Sequence, residues 1–386
     1  MFFQKKIVII TAILIISVQF VNISANDTNS TPKAKITSLK FDSPIIADHT
    51  VVNYVRLDLI PESAINQSKE KLHIAYQHTS HGSQISTGMA GLDDFKESLN
   101  GTEGLYSFSE SPQNGSLDFD DYAMNYAELS DSDLGYADWA TATRWYLGNH
   151  TDVNVIMWSW CGQVGSYSEQ GLIDHYLAPM TQLEIDFPLV TFVYMTGHVN
   201  GLGVGHSVHI RNEQIRQYVR DNNKVLFDFA DIESFNPDGV SYIDGNVTDG
   251  CDYNFGNGTS GNWAIEWQNS HTEGVDWYDC SSAHSQPLNA NMKAYAAWWL
   301  WATLGGWNSS GIPIPTSTSS PVTSSISTSS SASSATQTST STTATTNQSS
   351  SNQTTTESSI PGLTLLMSFA GLFITSFLYL RKKRKL

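Results

Sequence analysis

LHIAYQHTSHG, residues Leu72 to Gly82, passes from a short apolar run rich in Ile, Ala and Tyr into a polar turn that carries a serine. The apolar half is short and unbroken, which predicts a buried strand rather than a half-exposed one. A helix-like stretch opens directly after it. In open parallel α/β sheets ligands bind just beyond the carboxyl ends of the strands. Ser80, flanked by His78, His81 and Gly82, therefore falls where chemistry is expected.

Three more runs have the same character: Val153–Trp158, Leu189–Met195 and Val225–Phe229. Helical patterns lie between them. Ser207 is placed to cap a helix reaching Asn222, with Val208, Ile215, Tyr218 and Val219 turned inward. Another helix is predicted over Ala290–Leu304, capped by Asn289 and ended by Gly305-Gly306. Its stripe of Met292, Tyr295, Ala296 and Trp299 has core spacing. Strand and helix alternation predicts a three-layer α/β fold with a central parallel sheet. Two stretches, Lys96–Ala137 and Asp231–Ala283, read as long loop insertions over the strand ends.

The ends define the setting. Residues 1–25 place Lys5 and Lys6 before an apolar run and end at Ser24-Ala25, the layout of a cleaved signal peptide. The folded body is expected over 26–307. Residues 308–360 are almost entirely Ser and Thr, a composition that cannot offset its ordering entropy and suits an extended glycosylated stalk. N-x-S/T sequons recur from Asn66 to Asn352. Residues 361–380 form an uncharged apolar run, long enough for one membrane helix, and the basic tail 381–386 should stay inside. The expectation is a single-pass type I membrane protein with its body outside the cell. The net charge is −17, and Lys5, Lys6 and Arg381–Lys385 all lie in the ends, so the body is more acidic still. Such a field argues against a nucleic-acid partner. Of the three cysteines, Cys251 and Cys280 flank a loop-rich stretch and are expected to pair, leaving Cys161 as a small buried residue.

Each strand is followed by a polar motif: HTSHGS (His78–Ser83), SWCGQ (Ser159–Gln163), MTGHVNG (Met195–Gly201) and DFADIE (Asp228–Glu233). DCSSAHSQPLN (Asp279–Asn289) precedes the last helix. A serine hydrolase needs a nucleophile, a base, an orienter for the base and oxyanion donors. In that chain order, the sequence resembles the SGNH (GDSL-type) hydrolases over the α/β body. The resemblance implies Ser80 as nucleophile, His284 as base, and Gly162 as a backbone oxyanion donor. His198 or Asn200, from GHVN in place of the family's GxND, would be the side-chain donor. Asp279 stands five positions before the histidine, with Asp276 a second candidate orienter. The resemblance thus implies an extracellular esterase acting on an acylated small molecule or polysaccharide, without metal or cofactor. Two other readings stay open. Trp263, Trp267, Trp277 and Tyr278 could stack on sugars in a non-catalytic glycan-binding domain. The pairs His78/His81 and His206/His209, with His198 and His271, could instead ligate metal in a metallohydrolase.

Overall fold

The computed structural model describes residues 41–308 apart from 53–56, 112–114 and 125–131. The expected signal peptide, stalk, membrane helix and basic tail lie outside the described residues. Among the described residues no helix is long and apolar enough to cross a membrane.

In chain order the elements are β1 (Ile45–Ala47), α1 (Glu62–Lys71), β2 (His73–Gln77), α2 (Ser83–Asn100), β3 (Phe108–Ser109) and β4 (Leu117–Asp121). Then come α3 (Trp139–Asn149), β5 (Val155–Trp158), α4 (Glu169–Leu172), a π segment (Ile173–Leu177) and α5 (Ala178–Asp186). β6 (Thr191–Met195), α6 (Ser207–Asp221), β7 (Val225–Phe227) and α7 (Phe229–Ile232) follow. The hairpin β8 (Asp252–Asn254) and β9 (Ser260–Asn262), α8 (Trp263–Ser270) and α9 (Pro287–Gly305) complete the body.

The seven-stranded sheet runs β1-β7-β6-β5-β2-β4-β3, and every pairing in it is parallel. The fold is three-layer α/β, as the alternation predicted. Side-chain alternation makes the layers visible. Val155 and Met157 of β5 join the core that holds α1, α2 and α9. Ile156 and Trp158, one residue out of phase, join the core that holds α3, α5 and α6. Trp158 is fully buried with its indole N–H donating to Thr143 Oγ1 at 2.9 Å. Burying a side chain of that size contributes about 2–3 kcal/mol.

Counting from β2, the five central strands follow the doubly wound order 2-1-3-4-5. The chain leaves β2 on one side for β4, then returns past β2 to β5 and continues outward on the other side. The switch point therefore lies between β2 and β5, where such folds open a crevice at the strand ends.

The four strands read from sequence are all present: β2 starts one residue later and runs through Gln77, β5 and β6 each start two residues later, and β7 ends two residues earlier. Others were hidden. Lys96–Ala137 is not simply a loop, since it contains the end of α2 and the strands β3 and β4. In β4 the run LDFDD carries three carboxylates, a pattern that suggests solvent. Each is partnered from elsewhere: Asp118 by His73 Nδ1, Asp120 by Tyr146 O–H and Asp121 by His78 Nε2, all at 2.7 Å. Asp231–Ala283 likewise contains the end of α7, the β8–β9 hairpin and α8.

The last helix begins at Pro287, earlier than predicted, so Asn289 is inside it and fully buried rather than capping. It ends at Gly305 with Gly306 left-handed at φ 110°. Helix α6 starts at Ser207 after His206, which occupies the cap position. The Cys251–Cys280 disulfide expected from the sequence does not form, since all three cysteines are free. The two thiols have separate partners: Cys251 Sγ lies 3.3 Å from Ser285 Oγ, and Cys280 Sγ lies 3.4 Å from Asn291 Nδ2. Burial pushes both thiols up to about 12.

Candidate active site

The turn after β2 and the turn after β5 meet at the switch point. The first is a single 3-10 turn, Ser80–Gly82, that runs straight into α2. Gly82 makes it possible. A Cβ there would stand 2.4 Å from both His78 Cβ and Ser159 Oγ, and 2.7 Å from the Tyr76 hydroxyl. Tyr76 in turn donates to the Gly82 carbonyl at 2.9 Å. Gly82→Ala should therefore force the turn off β2. We expect it to cost about 2–3 kcal/mol, read as a lowered Tm, and to displace His81. An unchanged melting curve would contradict this packing.

The second turn is held by Asp133. Its carboxylate accepts from Thr79 Oγ1 at 2.8 Å and from Gln163 Nε2 at 3.2 Å, tying the two turns together. Gln163 Oε1 accepts from the Cys161 N–H at 3.2 Å. These contacts place a half-exposed Cys161 beside the exposed Ser80 at the start of the α2 turn, with Sγ and Oγ 3.8 Å apart.

His81 connects this thiol to a carboxylate. Its Nδ1 lies 3.5 Å from Cys161 Sγ, and its Nε2 lies 2.9 Å from Asp249 Oδ2. Both ring nitrogens thus face groups that accept, the pattern of an imidazolium. Burial opposes that charge, but Asp249 and Cys161 override it and raise the His81 pKa to about 9. The hydrogen bond from His81 lowers the pKa of the Cys161 thiol, against the effect of its partial burial. Asp249 is held below the usual carboxylate range: burial acts against this, and the hydrogen bond and charge of His81 outweigh it. Asp249 reaches the site because the loop after β6 is stitched to its segment. Gly201 N–H donates to Val247 O at 3.0 Å, and Asn200 bridges Thr248.

Two more imidazoles cover the faces of His81. His198 stacks on one side, with ring centroids 3.9 Å apart and planes 6° from parallel. His284 stacks on the other at 4.3 Å and 16°. His198 Nδ1 lies 2.6 Å from Val199 O, which assigns the proton to that nitrogen and leaves Nε2 as an acceptor. Burial lowers the pKa of His198, so it stays neutral beside the His81 cation. Its Nε2 is directed at the SWCGQ turn, 3.6 Å from where a Cβ on Gly162 would stand.

Most of the residues expected from sequence converge here. Ser80, Gly162, His198 and His284 all border the Cys161–His81 pair. Asn200 is occupied within its own loop, its Oδ1 accepting from Leu202 N–H at 3.3 Å. Asp276 closes a turn by accepting from Thr272 N–H at 2.8 Å, and Asp279 is exposed. Among the described residues neither carboxylate is hydrogen-bonded to His284.

Cys161 is half-exposed rather than the small buried residue expected, and His81 contacts both Cys161 and Asp249. Sequence spacing does not single out Asp249. The signals that could have found the pair were the position of SWCG at a strand end and the turn dipeptide Asp249-Gly250.

His81, His198 and Asp249 present ligand atoms within 4.8 Å of one another. Their geometry does not suit an ion. Zinc lies in the plane of each imidazole that binds it, at about 2.0–2.1 Å from nitrogen. Parallel rings 3.9 Å apart direct their lone pairs into separate planes. The other histidines considered as ligands are dispersed. His78 pairs with Asp121, His206 and His209 lie at the start of α6, and His271 stacks on Trp267 at 3.6 Å. Of the aromatic residues considered for sugar stacking, Trp263, Trp267 and Tyr278 are buried, and Trp277 is partly buried against the same core.

Comparison with protein-family models, with curated proteins and with solved structures finds no match to this chain. The chemistry of the site therefore has to carry the functional reading.

Proposed function

We propose that the chain is a hydrolase of ester bonds that works through a covalent thioester on Cys161. The observation that carries this reading is the line Cys161 Sγ–His81–Asp249, with contacts of 3.5 and 2.9 Å at the strand-end crevice. A nucleophile, a base within reach and a third group orienting the base is the general arrangement for covalent catalysis. The thiolate attacks the ester carbonyl carbon. Gly162 N–H, which makes no hydrogen bond among the described residues, and the Ser80 hydroxyl are placed to meet the charge on oxygen. His81 Nδ1–H then passes its proton to the departing alkoxide, which leaves as the alcohol. In the second half, neutral His81 takes a proton from water as its oxygen adds to the thioester. The acid departs and the thiolate is restored. The likeness to SGNH hydrolases supports an ester substrate on an acylated small molecule or polysaccharide. The expected leader, stalk and anchor place the reaction outside the cell.

Ser80 as nucleophile is the second reading, favoured by its exposure at the end of β2 and its position at the amino end of α2. Two reagents separate them. Iodoacetamide should modify Cys161 rapidly even near pH 6, where an ordinary thiol reacts slowly, because His81 stabilises the thiolate. Loss of hydrolysis of p-nitrophenyl acetate should follow in step. Labelling of Ser80 by a fluorophosphonate, with iodoacetamide leaving activity intact, would transfer the role to the serine.

A further inference from the structure

The three stacked imidazoles come from three separate segments: the turn after β2, the loop after β6, and the stretch before α9. Their rings touch only by stacking. The same three segments are joined a layer deeper, around Lys293 of α9. Lys293 is fully buried. Its ammonium donates to Glu233 Oε1 at 2.8 Å and to Gln84 Oε1, and lies 3.7 Å over the Phe229 ring. Glu233 and Gln84 are also fully buried.

Each partner reaches outward to one ring. The second oxygen of Glu233 accepts from Val199 N–H at 3.0 Å, and the carbonyl of that residue receives His198 Nδ1–H. Gln84 Nε2 donates to Ala283 O at 2.5 Å, the residue before His284. Gln84 itself stands in the first turn of α2, three residues past His81. The cluster therefore ends within a residue of His198 and of His284, and within a turn of His81.

We propose that the buried Gln84–Lys293–Glu233 cluster is a positioning device for the imidazole stack, holding His198 and His284 against the two faces of His81 so that His81 meets Cys161. The proposal rests on reading Cys161 and His81 as the reacting pair. A buried ion pair with a merely structural role can be replaced by apolar side chains of similar size without loss of function. Here the replacement should also release the rings.

The test uses the full-length chain in two charge-neutral double variants, since either single change strands a buried charge. Lys293→Met with Glu233→Leu removes the acceptor for Val199 N–H, whereas Lys293→Met with Glu233→Gln keeps one. The first is expected to fold, to lose the ring-current shifts of the His198 and His284 proton resonances, and to lose about 10²-fold in kcat with little change in KM. The second should regain the His198 shift and most of the rate. Gln84→Leu, which leaves Lys293 and Glu233 paired, should release His284 alone and remains informative should the first variant not fold. Two results would overturn the proposal. One is unchanged imidazole shifts with a rate within about threefold of the parent in the folded Lys293→Met, Glu233→Leu protein. The other is unchanged shifts in Gln84→Leu. The resonances report on the stack even if Cys161 proves dispensable for hydrolysis, so the two readings fail separately.

Discussion

Replacing Cys161 by alanine is expected to lower kcat by on the order of 10³-fold or more, with the protein still folded. The side chain is half-exposed and belongs to neither core, so its loss leaves no apolar cavity. His81→Ala should cost a similar factor, and the double variant little more than either single change, because a nucleophile without its base already cannot attack. Ser80→Ala divides the two readings. If the serine hydroxyl only assists at the oxyanion, its removal should cost about 10²-fold and leave iodoacetamide labelling of Cys161 intact. If Ser80→Ala abolishes turnover while Cys161→Ala retains it, the serine is the nucleophile. Single-turnover assays on the four variants, with mass mapping of the acylated residue, decide the matter.

The fold was legible because its decisive signals are local. An apolar run such as Val155–Trp158 must be a strand buried on both faces, and the stripe on α9 must face a core. What escaped depends on distant partners. LDFDD looks solvated until His73, Tyr146 and His78 are brought to its three carboxylates. The same limit explains the site. Strand-end placement points to Ser80, Gly162 and His198, which do converge. Proximity in sequence points to Asp276 or Asp279 as the orienting carboxylate. The carboxylate that bonds an imidazole of the stack, Asp249, is 168 positions from its partner His81. Nothing in the spacing of either residue reports that contact. Cys161 is masked differently: in isolation a cysteine at a strand end is most simply a packing residue, and only the adjacent imidazole gives it another role.

Asp249→Asn should produce the second large effect, on the order of 10²- to 10⁴-fold in kcat, together with a displaced pH profile. The sign follows from the charges. His81 has a folded pKa of about 9, against an ordinary value of 6.5, with Asp249 as its strongest stabilising partner. Stability contributed by the imidazolium is therefore complete below about pH 6.5 and is lost as pH rises through about 9. A neutral amide in place of Asp249 no longer holds that proton, so the His81 pKa falls. The alkaline limb of kcat/KM, where the general acid is lost, must then move to lower pH. The same substitution should shrink the stability advantage at about pH 6 more than at about pH 9.5, since the imidazolium is already discharging at the higher value. Paired pH–rate and pH–melting series on the parent and Asp249→Asn proteins measure both. An alkaline limb that stays in place would mean that Asp249 does not set the protonation of His81. An unshifted limb with undiminished kcat would remove it from the site altogether.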